Sequence, residues 1–339
     1  MPSFSKDLKR WLPGAIVSIV LIAAIVYFVD IPKVIAAIRA ANYRILGVVT
    51  VLSFLWMFVR AIVWRTLLRE RASYRDVLMS LSEGYLLNNI LPVRLGELGR
   101  AFMLSRKTDL PFVEILPTIV IERAVDIAFT AAIFLAALPF LTGTQGAGRI
   151  GLILGVIVVI GLVGLYLLAR NDRWALDTFH KLSARWPAIQ RLGGGILEPF
   201  LAGLVVLTDG WLFARFLFWM TLNWALAILT YYLTILAFFP QTQVTWAMFG
   251  LGAAAFGGAV PSLPGAVGTF EGAFGGALTL LTGDRSTSLA VALVARFFNY
   301  LSSFVLGGIA LAREGQSLSG IYQQLMSFRS KGKSYDSPV

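Results

Sequence analysis

The residues able to do chemistry fall in three short stretches. The first reads Asn88-Asn89-Ile90-Leu91-Pro92-Val93-Arg94-Leu95-Gly96-Glu97-Leu98-Gly99-Arg100. The second is Glu122-Arg123 with Asp126, and the third runs Pro261-Ser262-Leu263-Pro264-Gly265-Ala266-Val267-Gly268-Thr269-Phe270-Glu271, with Arg296 downstream. Prolines and glycines at these places interrupt helices and leave backbone N–H groups without partners. Such helix ends, joined by arginine forks that can hold two oxygens at once, suit an anion such as phosphate. Arg94, Glu97, Arg100 and Glu271 stand beside the breaks and are read as functional. Glu122 and Asp126 share a helix face, and Arg123 and Asp126 are spaced to pair. That cluster reads equally well as an ion-pair network locking helices together or as part of a site.

Other chemistries are excluded by what is scarce. The chain has no cysteine and one histidine, His180, in an interfacial-looking segment. Disulfides, iron–sulfur clusters, thiol chemistry and an ordinary zinc site all need more. There is no Walker sequence, so an ATP-driven pump is not expected, and no nucleophile–base pair stands out. No cofactor is expected, and an enzyme in its own right ranks last.

These residues sit in a chain built for lipid. Of 339 residues, 58% are hydrophobic and 14% charged, against about 25% charged in an ordinary soluble domain. The mean hydropathy is +0.77. The net charge of +11 could suggest nucleic acid, but the basic residues lie between apolar runs. They read as topology signals and as contacts to anionic headgroups.

A crossing helix needs about 20 mostly apolar residues. Runs of that kind lie at 11–29, 45–64, 110–138, 150–169, 212–239 and 289–312. Two further runs, 77–92 and 248–281, contain polar and helix-breaking residues, tolerated at membrane depth only beside protein or a water-filled cavity. Both are expected to be re-entrant or discontinuous. Both termini are then cytoplasmic, in agreement with Arg65, Arg69, Arg71, Arg75, Arg106, Lys107 and Arg313. The loop 30–44 conflicts, since Lys33, Arg39 and Arg44 fall outside; a short interfacial helix there would be weakly amphipathic. The segment 171–208 has the makeup of a helix in the headgroup layer.

The two irregular runs share a plan. Each places Leu-Pro shortly before a glycine and a glutamate, follows a full span and precedes one with an internal arginine, Arg123 or Arg296. The first would enter from the cytoplasm and the second from outside, as in an inverted-topology repeat whose broken helices form a substrate site near the midplane. The expected fold is an all-α polytopic membrane protein with two inverted-topology repeats. Its parts are an N-terminal helix and connector (1–44), a first repeat (45–138), a linking helix and interfacial segment (139–211), a second repeat (212–312) and a basic tail (313–339).

At these residues the chain resembles the flippase-like transmembrane region of lysylphosphatidylglycerol synthases, which also occurs as stand-alone membrane proteins. The likeness covers nearly the whole chain, most clearly 45–312. It is carried by Asn89-x-x-Pro92-x-Arg94-x-Gly96-Glu97-x-x-Arg100, by Glu122-Arg123-x-x-Asp126, and by Pro261-x-x-Pro264-Gly265-x-x-Gly268-x-x-Glu271 with Arg296. Ala266 departs from the pattern, where the family often has a second glycine. The resemblance implies a lipid-handling domain that moves an anionic or lipid-linked headgroup between leaflets. The soluble aminoacyl-transferring half of the full synthases is not expected in the residues after Ala312.

The leading expectation is therefore a flippase or transporter of a lipid or lipid-linked substrate in a cell membrane, with the bacterial inner membrane as the expected setting. Asn89, Arg94, Glu97, Arg100, Glu122, Arg123, Asp126, Glu271 and Arg296 are its candidate substrate-binding residues. Arg94, Arg100 and Arg296 are expected to contact the headgroup, and Glu97 and Glu271 to orient them or carry a proton. Two alternatives stand beside it: an ion-coupled transporter of a small soluble anion, and a non-transporting scaffold for a lipid or glycan biosynthetic enzyme. Expected partners are a membrane lipid or lipid-linked substrate and anionic headgroups, with a homo-oligomer or such an enzyme also compatible. Nucleic acid is not an expected partner.

Overall fold

The computed structural model describes residues 30–90, 96–142, 170–183, 208–260 and 264–313, with residues 160, 163, 164, 166, 167 and 201. Among the described residues every regular element is helical. In chain order these are α1 (Ile31–Ala40), α2 (Tyr43–Leu67), α3 (Tyr74–Ile90), α4 (Gly96–Lys107), α5 (Phe112–Thr142), α6 (Asp172–Ser183), α7 (Gly210–Leu236), α8 (Val244–Ala259), a 3-10 turn (Pro264–Ala266), α9 (Thr269–Thr282) and α10 (Arg285–Arg313). The expected crossings at 11–29 and 150–169, Arg94 and the basic tail lie outside the described residues, wholly or for the most part.

Helices α2, α7 and α10, of 25, 27 and 29 residues, are long and apolar enough to cross a membrane. Helix α5, with 31 residues, exceeds the same length. The starts of α1, α2 and α7 are set by short polar side chains that accept otherwise unpaired N–H groups. Asp30 takes the Lys33 N–H, Asn42 those of Arg44 and Ile45, and Asp209 that of Leu212.

The four remaining membrane-depth helices are short. At 1.5 Å per residue, α3 reaches about 25 Å and α4 about 18 Å, less than the hydrocarbon thickness of about 30 Å. They fold back on one another as an antiparallel hairpin. A Cβ on Gly84 would stand 2.8 Å from the Gly96 carbonyl oxygen and 2.7 Å from the Arg100 Cβ, so the close approach of α3 and α4 requires glycine there. Across the break, the Asn88 side-chain oxygen accepts the Gly96 N–H at 2.8 Å. Helices α8 and α9, of 16 and 14 residues, form a second hairpin. Its seam runs where Gly250 abuts the Phe274 ring and Gly257 abuts the Thr269 carbonyl. Small residues let these backbones meet.

Helix α10 runs between the two hairpins. Near its start, the Thr282 and Ser288 hydroxyls lie 3.1 Å apart and Leu289 and Ala290 pack on Val34 of α1. At its end, Arg313 shares a pocket with Arg75, Arg106 and Lys107 at the base of the first hairpin. The hairpin bases thus lie at opposite ends of α10. Their tips meet midway: the Asn89 carbonyl oxygen lies 3.4 Å from the place a Cβ on Gly265 would take. The Asn89 amide also donates to the Ser303 hydroxyl of α10 at 2.7 Å.

The connector at 30–44 forms α1, a helix docked on α10 through the buried Val34, with Lys33 paired to Asp30 at 3.3 Å. The segment after 170 forms α6, whose Ala175 and Leu176 pack against α2, α5 and α7 while Trp174 is exposed. His180 belongs to this helix.

Candidate functional site

Among the described residues, two arginine-centred polar clusters lie within the apolar bundle. The first is organised by Arg60, the one charged residue between 45 and 64 in α2. Its side chain is 2% exposed and reaches α5, where one terminal nitrogen donates to Glu122 at 2.6 Å and makes a short contact with Asp126. The other donates to Asp126 at 2.9 Å and to the Asn223 side-chain oxygen of α7 at 3.3 Å. Arg100 of α4 bridges Glu122 from the far side at 3.1 and 3.2 Å, with its guanidinium over the Trp64 ring at 4.6 Å. Arg123 closes the circuit, with Glu97 at 2.7 Å and Asp126 at 3.2 Å. Three arginines meet three carboxylates, so the cluster is locally neutral. A charge stranded at this depth would be costly, and each partner removes that cost for the next.

The second centre is Arg296 on α10. It pairs with Glu271 of α9 at 2.8 and 3.1 Å. It also donates to the Ala266 carbonyl at 2.8 Å, makes a short contact with the Gly265 carbonyl, and lies over the Phe270 ring at 4.2 Å. Glu271 in turn accepts the Gly268 N–H at 2.8 Å, capping α9. The turn it secures is left-handed at three places: Gly265 (φ 70°), Ala266 (φ 58°) and Gly268 (φ 86°). Ala266, the position where a glycine would be at ease, is held there by the arginine on its carbonyl.

Between these centres lies a cavity of about 300 Å³. Arg60, Arg123 and Asp126 form one side of its wall, and Asn223, Tyr231 and Asn299 continue the polar surface. Trp56, Trp224, Leu251 and Ala255 supply an apolar side. Both terminal nitrogens of Arg60 are taken by its partners, and its buried Nε lacks one among the described residues. Arg123 is less committed: its side chain is 38% exposed, and Nη2 has no partner among the described residues. The Trp224 indole N–H is buried and lacks a partner among them as well. The Asn299 amide reaches the Tyr231 hydroxyl at 3.3 Å, linking α10 to α7 across the wall.

The expected site residues are therefore divided. Glu97, Arg100, Glu122, Arg123 and Asp126 gather in one cluster, and Glu271 and Arg296 form a separate one. Arg123 and Asp126 line the cavity; Arg100 and Arg296 do not, because carboxylates and ring faces enclose both. Asn89 ties the first hairpin tip to α10, and Arg94 is outside the described residues. Sequence reasoning missed Arg60, although a lone arginine in an otherwise uncharged span is itself a signal. It also missed Asn223 and Asn299, single amides inside α7 and α10, which give no pattern of their own.

A bundle of crossing helices with two broken hairpins and buried arginine–carboxylate centres defines an integral membrane protein. The chain belongs to the lysylphosphatidylglycerol synthase transmembrane-region family, whose sequence profile matches residues 11–307. Among curated proteins it is similar to glycosyltransferase AglD of Haloferax volcanii, 22% identical over 77% of this chain and 47% of that one. The chain thus spans about half the length of that relative. It is also similar to two UPF0104 membrane proteins. One, from Methanothermobacter thermautotrophicus, is 22% identical over 89% of this chain and 93% of its own. The other, from Methanocaldococcus jannaschii, is 26% identical over 66% of this chain and 92% of its own. No solved structure matches the chain.

Proposed function

We propose that this protein moves an anionic or lipid-linked headgroup between leaflets and that the cavity beside Arg123 is where the headgroup sits. The observation that carries the reading is the make-up of that cavity. It pairs an arginine with an uncommitted guanidinium nitrogen, amides and an unpartnered indole N–H with an apolar wall. A volume of about 300 Å³ suits a headgroup better than acyl chains, which would remain in lipid. The two hairpins are read as inverted repeats, supported by bases at opposite ends of α10 and tips that meet. Rocking of one unit against the other would open the cavity to each side in turn. On this reading the protein makes and breaks no covalent bond, and both termini face the cytoplasm of the cell that carries it. The basic side chains at the base of the first hairpin support that orientation.

The test is reconstitution of the full chain in vesicles with a headgroup-labelled fluorescent phosphatidylglycerol and an impermeant quencher. Accelerated quenching of the inner-leaflet probe, lost in Arg123→Gln, is the expected result. Rates equal to those of protein-free vesicles would defeat the transport reading. The likeness to half of a protein named as a glycosyltransferase favours a second reading, a membrane module serving a glycan-transferring enzyme. An Arg123→Gln variant silent in vesicles but defective in co-purifying such an enzyme would select it.

A further inference from the structure

The cavity beside Arg123 holds a donor and an acceptor side by side. Arg123 lines it with Nη2 uncommitted among the described residues, while its Nη1 donates to the Asp126 Oδ2 at 3.2 Å. Asp126 lines it as well and is 14% exposed. A carboxylate offers about four lone-pair directions. Arg60 takes two of those on Asp126 and Arg123 a third, which leaves one open on Oδ1.

Charge decides what such a pair can hold. Arg60, Arg100 and Arg123 are balanced by Glu97, Glu122 and Asp126, so the wall carries no surplus cation. A bare phosphate would find one uncommitted guanidinium nitrogen and, beside it, a carboxylate that repels it. A neutral group with two adjacent hydroxyls meets both demands. One hydroxyl oxygen accepts from Arg123 Nη2, and the other hydroxyl donates to Asp126. The rest of the wall has a matching character. The Trp224 indole is stacked on Phe129, with ring centroids 6.1 Å apart at 9°, and Trp56 is braced edge-on by Tyr85 at 5.7 Å. These rings give a fixed apolar surface for the C–H groups of a polyol. Asn299 spends its amide on the Tyr231 hydroxyl and keeps a side-chain oxygen with no partner among the described residues, a further acceptor for a hydroxyl.

We infer that this cavity recognises its cargo by a pair of adjacent hydroxyls on a neutral polyol, a glycosyl ring or the glycerol of a phospholipid headgroup, and not by a phosphate. The inference rests on the reading of the cavity as the seat of the headgroup, and it names which part of the headgroup is read there. A site whose polar groups pair with hydroxyls rejects a lipid lacking them, because those groups are then left unpaired.

The test titrates the detergent-solubilised full chain with monoglucosyl diacylglycerol, phosphatidylglycerol and phosphatidic acid of identical acyl chains. Bound lipid is counted by native mass spectrometry. The first lipid has adjacent hydroxyls and no phosphate, the second has both, and the third has a phosphate alone. Arg123→Gln and the charge-keeping Arg123→Lys are measured beside the wild type, with folding checked by thermal midpoint. If the Gln variant fails to fold, the Lys variant carries the comparison. Wild-type retention of a hydroxyl-bearing lipid about tenfold or more over phosphatidic acid, with that preference lost in Gln and reduced in Lys, supports the inference. A preference confined to the glucosyl lipid identifies a sugar as the source, and one confined to phosphatidylglycerol identifies glycerol. If phosphatidic acid is retained as well as the others, and still depends on Arg123, the inference is overturned while the headgroup seat stands. A hydroxyl preference that both variants keep also overturns it, because the reading groups then lie elsewhere. Equal binding of every lipid by wild type and variants overturns the inference and the headgroup seat together.

Discussion

Arg60 and Glu122, 62 positions apart in the chain, meet at 2.6 Å with neither side chain more than 2% exposed. This pair joins α2 to α5 inside the apolar bundle and anchors every other charge of the first centre. Glu122 holds Arg100 on its other side, and Arg60 holds Asp126, which in turn holds Arg123. The geometry of the cavity wall is therefore inherited from a buried contact whose terminal guanidinium nitrogens are already committed.

Removing Arg60 alone should be among the most damaging changes in the protein. Arg60→Met strands Glu122 and Asp126 with reduced compensation, at an expected cost of about 3–5 kcal/mol. The double change Arg60→Met with Glu122→Gln should recover part of that loss, since the two residues act as one unit. Thermal midpoints in detergent would show it. Simple additivity of the two single effects would refute the coupling.

Arg123 should behave in the opposite way. It is 38% exposed and lines the cavity, so Arg123→Gln is expected to lower the thermal midpoint by clearly less than Arg60→Met while abolishing headgroup movement. Arg123→Lys keeps the charge but not the planar fork, and binding should weaken by about 1.5–3 kcal/mol if a charged hydrogen bond is lost. A lysine variant indistinguishable from wild type in binding would remove the fork from the account.

The left-handed turn at the second hairpin tip sets a contrast between neighbours. Ala266→Gly relieves a non-glycine residue at φ 58° and should stabilise the protein or leave it unchanged, by up to about 1 kcal/mol. Gly265→Ala places a Cβ against the Tyr300 hydroxyl at φ 70° and should destabilise by more than that. Unfolding of both variants measured side by side checks the order; a stabilised Gly265→Ala would contradict the turn geometry.

Outside the membrane, Asp284 starts α10, accepting the Thr287 N–H at 3.0 Å and the Thr287 hydroxyl at 2.6 Å. Burial pushes its carboxyl up, but these bonds, a further backbone bond and nearby Lys33 outweigh it and hold it below the ordinary aspartate range. A depressed carboxyl contributes stability above its unfolded pKa of about 3.9, and that contribution fades as pH falls through the lower folded value. Asp284→Ala should cost about 1 kcal/mol at neutral pH, and the difference from wild type should shrink below about pH 4. An unchanged difference under acid would show that the carboxylate is not what matters.

Much of this molecule was legible in single stretches of sequence. The long apolar runs prescribe crossing helices because lipid cannot hydrogen-bond an open backbone. The expected spans 45–64, 212–239 and 289–312 correspond to α2, α7 and α10 within a few residues. Asn88, Pro92 and Gly96 announce a break in one run, and Pro264, Gly265 and Gly268 in another. The spacing of Arg123 and Asp126 implies their pairing, found at 3.2 Å. The connector at 30–44 was harder. Its basic residues conflict with the expected topology, and nothing in their spacing announces that α1 docks on α10 with Lys33 paired to Asp30.

What only the tertiary structure decided is which charges satisfy one another and which remain for a ligand. Arg100, Arg123 and Arg296 look alike in sequence, each an arginine near a glutamate in an apolar setting. Their difference lies in residues far along the chain: Glu122 and Trp64 enclose Arg100, the Gly265–Ala266 turn and Phe270 enclose Arg296, and Arg123 is left facing a cavity. Sequence alone determined the solvent, the helices and where they break, because those depend on residues a few positions apart. The free donor, and with it the candidate site, depends on contacts between helices tens to hundreds of residues apart, which pattern and spacing do not encode.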